Sequence, residues 1–99
     1  MASYTLTGSQ VAAHDKTLVA ATVDTVTFPG HVGKVEVLNI NGAAAIYFTV
    51  DGSTPTVSGA NTYALPAAVA SREVRAPATG TTVVKLISAG TPTYSVTGD

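Results

Sequence analysis

Two histidines and the acids near them are the first residues that could do chemistry. His14 is followed by Asp15, and Asp24 and His31 come later, so nitrogen and oxygen ligands for a metal ion occur within one stretch. Their spacing matches no ligand pattern with a geometric basis, such as two histidines one helical turn apart. We interpret them as solvated loop residues, and the sequence predicts no metal site and no cofactor.

The sequence offers no catalytic constellation either. Serine, histidine and aspartate are all present, but no serine lies in the G-x-S-x-G turn that exposes a hydrolase nucleophile. The only glutamates are Glu36 and Glu73, and Glu36 lies within a predicted strand, on the face opposite Val35 and Val37. We predict no catalytic residue and a protein that is not an enzyme.

Four tyrosines raise a further alternative, a platform on which sugar rings stack. They are Tyr4, Tyr47, Tyr63 and Tyr94, and they are dispersed along the chain. In a protein without tryptophan, tyrosines more often close the ends of a β-sandwich and leave their hydroxyls at the surface. We favour that second interpretation.

Charge and composition exclude several classes of protein. The chain has 99 residues, so one domain is expected. Its net charge is −1 and its five lysines and arginines are scattered, so we do not expect nucleic-acid binding. Cysteine is absent, which excludes disulfides and thiolate metal sites. The first residues lack the basic and apolar regions of a signal peptide, and no apolar run is long enough for a bilayer, so we predict cytoplasmic synthesis and no membrane.

The share of charged residues is low, at 11%, where about 25% is usual. Low charge weakens the ordinary protection against self-association. Two interpretations stay open: other subunits cover much of the surface, or the chain is simply a threonine-rich β protein.

The elements that would position these residues are short strands. Period-two alternation with β-branched residues, interrupted by Gly, Pro, Asn and Asp, recurs about every 8–12 residues. The pattern predicts an all-β fold, an Ig-like antiparallel β-sandwich of seven to nine short strands. The predicted strands include a weak one over 17–22, a hairpin joining 34–40 to 44–50 through Asn41-Gly42, and a charged edge strand over 72–74. The only segment that could be helical is 67–71.

Residues 45–56, AIYFTVDGSTPT, carry a recognisable phrase. It resembles the strand and proline-stiffened turn of small Ig-like modules of the chitobiase C-terminal type. The wider stretch 35–99 resembles small structural proteins of tailed bacteriophages that infect actinobacteria. This resemblance implies a virion component, and most directly a capsid decoration protein that binds and stabilises the outside of a phage head.

The same resemblance sets the expected partners and location. The major capsid protein and neighbouring copies of the chain would be the partners, with host glycans as an addition, and the capsid surface of the virion would be the location. The alternatives are a tail or connector component of the virion and a carbohydrate-binding or adhesive module.

The first 16 residues lie outside the resembling region. We predict that they form an N-terminal arm or an edge strand. In that prediction Tyr4, Leu6 and Val11 contact the capsid or a neighbouring subunit by strand addition.

Overall fold

The computed structural model describes residues 1–99 and contains nine strands in two packed sheets. The first sheet has the order β1-β3-β8-β5-β6, and the second has the order β2-β9-β4-β7. The strands are β1 (Ser3–Thr5), β2 (Ala12–Thr17), β3 (Asp24–Thr27), β4 (Lys34–Asn39), β5 (Ile46–Thr49), β6 (Tyr63–Leu65), β7 (Ala70–Arg75), β8 (Val83–Ile87) and β9 (Thr93–Gly98). The predicted all-β sandwich is confirmed.

Alternation along each strand decides which side chains enter the space between the sheets. In β4, Val35, Val37 and Asn39 are buried, while Lys34 and Glu36, which alternate with them, are exposed. The largest fully buried side chains are those of Tyr94, Phe28 and Phe48. Together with valine, leucine and isoleucine from both sheets they form one continuous core.

The central strands of both sheets come late in the chain. In the first sheet β8 pairs antiparallel with β3 and β5, and in the second β9 pairs antiparallel with β2 and β4. One pair is parallel, namely β1 with β3 at the edge of the first sheet. The four sheet edges are therefore β1, β6, β2 and β7.

The predicted hairpin through Asn41-Gly42 is wrong. Strand β4 lies in the second sheet and β5 in the first, so residues 40–45 cross from one sheet to the other. Asn39 explains the crossing, because its buried amide donates to the carbonyls of Ala44 and Pro66 and accepts from Gly42 N. Gly42 has φ +64°, and a Cβ there would come within 2.8 Å of the Ala68 backbone.

Two further strand predictions need correction. The strand expected over 17–22 is displaced, since β2 ends at Thr17 and residues 18–23 form a connection. The bulge between Ala13 and Lys16, with Asp15 at φ 57°, interrupts the alternation that the prediction required. Residues 67–71 are not helical, because β7 begins at Ala70. The charged edge strand over 72–74 is confirmed as the middle of β7.

Candidate functional site

The longest connection in the chain, residues 50–62, lies between β5 and β6. Connections of this length without secondary structure are uncommon in compact domains and are usually functional. This connection, called the 50–62 loop below, lines two adjoining concavities, which share Asp51, Asn61 and Thr62. It is the candidate functional site.

Internal hydrogen bonds hold the 50–62 loop in shape. Thr49 Oγ1 donates to the carbonyl of Ser53 at 2.6 Å, and Thr62 Oγ1 donates to the carbonyl of Gly59 at 2.8 Å. Within the loop, the Pro55 side chain is buried. A loop ordered in this way presents its exposed side chains with little further loss of conformational entropy on binding.

Asp51 is the only acid in the 50–62 loop. Its Oδ1 accepts from Ser53 Oγ at 2.5 Å and from Ser53 N at 3.0 Å. These two hydrogen bonds favour the charged form and hold the pKa of the Asp51 carboxyl below its usual value. The loop therefore carries a fixed negative charge at neutral pH.

The larger concavity, of about 510 Å³, continues from the loop to the ends of β6 and β7. Its far wall includes Tyr63, Arg75 and Pro77. The ring of Tyr63 lies 5.5 Å from that of Phe48, and the Arg72 guanidinium lies 5.1 Å from the Tyr63 ring centre. Three of the nine lining residues are hydrophobic and the others include polar and charged side chains, a combination that suits the binding of a polar partner.

The larger concavity, called the groove below, lacks the paired carboxylates of a glycoside hydrolase. Such enzymes use two carboxylates on either side of the scissile bond, and Asp51 is the only carboxylate among the residues lining either concavity. No cluster of three or more histidine, cysteine or acidic side chains could hold a metal ion. The arrangement can present hydrogen-bonding groups and charge, which is the chemistry of a binding surface.

The structure separates the residues first considered as metal ligands. Asp24 is buried, with its carboxylate accepting from Tyr94 Oη at 2.9 Å and from Ala2 N at 3.2 Å. His14 is exposed on β2, and His31 is bonded through Nε2 to the Pro77 carbonyl at 2.8 Å. The interpretation of all four as solvated loop residues is therefore wrong for Asp24, which is buried in β3, and His14 and Asp15 are exposed but lie in strand β2.

The tyrosines do not share one role. Tyr63 is partly exposed beside the groove and Tyr47 bonds Ser58 at the surface, as the end-closing interpretation requires. Tyr94 instead lies in the centre of the core with its hydroxyl buried against Asp24. The sequence pattern did not reveal that Asp24 is buried, and the buried Asp24 carboxylate is the partner that allows the Tyr94 hydroxyl to lie in the core.

The three residues predicted to make intermolecular contacts lie in different environments. Tyr4 is half-buried on the edge strand β1 with Lys16 Nζ 4.6 Å from its ring centre, Leu6 belongs to the core, and Val11 is 55% exposed. Residues 1–16 supply the edge strands β1 and most of β2. A contact role for these residues stays a prediction.

Sequence reasoning treated 51–56 as a turn and missed the groove. Asn61, Thr62 and Arg75 reach it from separate elements, so no motif joins them. The length of the 50–62 connection was the one signal in the sequence that could have indicated a site there.

The two packed sheets define an all-β sandwich. No protein-family model and no curated protein matches the chain. Solved structures do match it. The periplasmic inhibitor of g-type lysozyme, PliG, from Aeromonas hydrophila has a TM-score of 0.53 and 14% identity, covering 96% of this chain and 92% of that one.

Two further PliG structures give similar values. The Salmonella Typhimurium protein has a TM-score of 0.52 and 16% identity, covering 97% of this chain and 95% of that one. A mutant of the Escherichia coli protein has a TM-score of 0.50 and 15% identity, covering 96% and 94%. At these identities the likeness establishes a shared fold.

These neighbours contradict the functional prediction made from the phage resemblance. They are periplasmic bacterial inhibitors of an enzyme, whereas the sequence predicted a capsid decoration protein with the major capsid protein as partner and the virion as location. The predicted function, partner and location are therefore wrong. Strand-and-turn phrases of this kind are features of many β-sandwiches and do not specify an activity. The likeness of residues 45–56 to chitobiase-type modules stays a prediction.

The structure contains no helix with the length and apolar character needed to span a bilayer.

Proposed function

We propose that this chain is a non-enzymatic inhibitor of a lysozyme-class glycoside hydrolase, and that the 50–62 loop occupies the substrate cleft of that enzyme. The observation that carries the proposal is the match, over nearly the whole of both chains, to inhibitors of g-type lysozyme. The exposed side chains of the 50–62 loop supply the chemistry of binding.

The exposed part of the 50–62 loop is rich in hydroxyl groups, which are carried by Ser53, Thr54, Thr56 and Ser58. A lysozyme cleft is built to hydrogen-bond the hydroxyl and amide groups of a polysaccharide. Serine and threonine hydroxyls both donate and accept, and so they can satisfy the same cleft groups as sugar hydroxyls do. The loop is held by its own hydrogen bonds and cannot be cleaved as a glycan, so it would block the cleft.

The test is inhibition of cell-wall lysis by g-type lysozyme in the presence of the purified chain. We expect saturable inhibition with an affinity tighter than about 10 μM. Thr54→Arg should weaken it at least tenfold, since a long cation replaces a small exposed hydroxyl at the centre of the loop. The matched control is Thr91→Arg, which changes an exposed threonine in the β8–β9 connection and should leave inhibition unchanged.

Two outcomes would contradict the proposal. One is full lysozyme activity at saturating protein, with binding absent by calorimetry. The other is inhibition that Thr54→Arg and Thr91→Arg change equally, which would move the contact away from the 50–62 loop.

A further inference from the structure

The outer face of the second sheet places like charges directly opposite each other. In the β4–β7 register Lys34 faces Arg75, and Glu36 faces Glu73. Like charges at opposed positions of an antiparallel pair are destabilising. The one ion pair present is diagonal, between Lys34 Nζ and Glu73 Oε1 at 3.8 Å, and both side chains are more than half exposed. Exposed charges interact weakly whether they are alike or opposite, and this single ion pair leaves Glu36 and Arg75 without a partner of opposite charge.

The strand that carries half of these charges, β7, is also an edge of its sheet, where Arg72 Nη1 donates to the Ala64 carbonyl of β6 at 3.4 Å. Strand β7 pairs with β4 on one side and with no strand of its sheet on the other. Ala76 N donates to the Gly33 carbonyl, so Ala76 directs its backbone N–H towards β4, while the Lys34 carbonyl accepts from Asp99 N on the other side of β4. Residues that direct their backbone groups towards the partner strand alternate with residues that direct them away. The backbone groups of Glu73 and Arg75 therefore point away from β4, towards the edge of the sheet.

We propose that a second copy of this chain pairs with that edge, β7 against β7 and antiparallel, with the two-fold axis at Val74. Glu73 then lies opposite Arg75 of the second copy, and Arg75 lies opposite its Glu73. Each of these two pairs exchanges both backbone hydrogen bonds, because both residues already direct those groups outward. The second sheet becomes continuous across the dimer.

This register turns the repulsive pairs into complementary rows. Across the joined sheet, Glu36 and Glu73 of one copy are followed by Arg75 and Lys34 of the other, and the symmetric row runs in reverse. Each acidic pair is thus placed beside a basic pair. Opposite charges at opposed positions of neighbouring strands stabilise a sheet.

Neighbouring registers lack this complementarity. With the axis at residue 73, Glu73 lies opposite Glu73 of the second copy. With the axis at residue 75, Arg75 lies opposite Arg75 of the second copy. The pairing cannot extend far beyond Ala76, because Pro77 has no backbone N–H. The charges therefore select the register centred on Val74.

The experiment is a charge reversal read by analytical ultracentrifugation from about 1 μM to about 1 mM protein. The unaltered chain is expected to form a dimer in that range. Glu73→Arg and Arg75→Glu should each weaken self-association at least tenfold, because each places like charges opposite each other. An equimolar mixture of the two variants should restore association, since the arginine introduced at position 73 then faces the glutamate introduced at position 75.

Glu36→Arg is the matched control, because it reverses a glutamate of the same face one strand away from the edge. It should weaken association less than Glu73→Arg does. Circular dichroism of each variant separates loss of association from loss of folding. A monomer at about 1 mM, or a mixture that associates no better than its two components, would overturn the proposal.

Cross-linking tests the register independently, because the chain has no cysteine of its own. Opposed residues of an antiparallel pair have Cα atoms about 5.5 Å apart, within reach of a disulfide. Glu73→Cys mixed with Arg75→Cys should give a cross-linked heterodimer under oxidation, and each variant alone should give little. Equal cross-linking in the separate variants would contradict the register.

Discussion

Replacing Asn39 with leucine is expected to lower the free energy of unfolding by about 4 kcal/mol, because buried polar groups left without a partner cost about 1–3 kcal/mol each. Asn39 is fully buried, and its side chain bonds Ala44 O, Pro66 O and Gly42 N. Leucine has a similar volume and no polar atom, so these three backbone groups lose their partner while the packing is largely kept.

The loops that Asn39 holds pack little apolar surface and depend on hydrogen bonds. Residues 40–45 and 66–69 consist mostly of alanine, glycine and other small residues, and Val69 is 70% exposed. Asn41 Oδ1 accepts from Ala43 N and Thr93 N, and the Asn39 amide supplies the bonds that join residues 40–45 to Pro66. A single substitution therefore loosens two connections between the sheets together.

Urea unfolding followed by circular dichroism measures this loss. Asn61→Leu is the matched control, because it makes the same chemical change at an exposed position and is expected to cost less than about 0.5 kcal/mol. Equal midpoints for the two variants would show that the Asn39 hydrogen bonds do not stabilise the sandwich.

Removing the hydroxyl of Tyr94 is expected to cost about 2–3 kcal/mol, since it withdraws a hydrogen bond to a charged group inside the core. Tyr94 Oη donates to Asp24 Oδ2 at 2.9 Å, and both residues are buried. In Tyr94→Phe the carboxylate keeps only the backbone N–H of Ala2. Tyr47→Phe is the control, because the Tyr47 hydroxyl meets Ser58 at the surface.

The Tyr94–Asp24 pair also makes the free energy of unfolding depend on pH in the alkaline range. Burial raises the pKa of Tyr94 above its usual 10.0, and the charge of Asp24 raises it further. The folded chain therefore holds this proton at pH values where the unfolded chain has released it. The contribution of this protonated hydroxyl to the free energy of unfolding is fully present below pH 10.0 and is lost as the pH rises above that value.

Thermal unfolding between about pH 8 and pH 11 measures this effect, in a range that brackets the ordinary tyrosine pKa of about 10. The melting temperature of the unaltered chain should fall more steeply above pH 10.0 than that of Tyr94→Phe. Parallel curves for the two proteins would contradict the assignment of this pH dependence to Tyr94.

Period-two alternation was enough to predict the strands that have one buried face. Strands β4 and β5 lie within the predicted segments 34–40 and 44–50, because β-branched and aromatic residues are frequent there. Strand β2 was misplaced because its sequence, AAHDKT, has one β-branched residue and contains a bulge.

Pairing between strands was not predictable in the same way. An Asn-Gly turn is compatible with a hairpin and with a connection between sheets, and the burial of Asn39 decides between the two. The candidate site depends on the same long-range arrangement, since the 50–62 loop and Arg75 meet only once β7 lies beside β6. The function inferred from the phage resemblance of residues 35–99 failed for a related reason, because strands and their turns specify local geometry without specifying a partner.

The order of strands also has a consequence for synthesis on the ribosome. Strand β8 separates β3 from β5, and β9 separates β2 from β4, so neither sheet has its middle until residues 83–98 have emerged. Until then only the pairs β1–β3, β5–β6 and β4–β7 can form and β2 has no partner strand, and closing the two sheets is slow, as is usual for non-local β pairing. A chain truncated after Ser88 is expected to be unfolded by circular dichroism, and a native-like spectrum would show that β9 is dispensable.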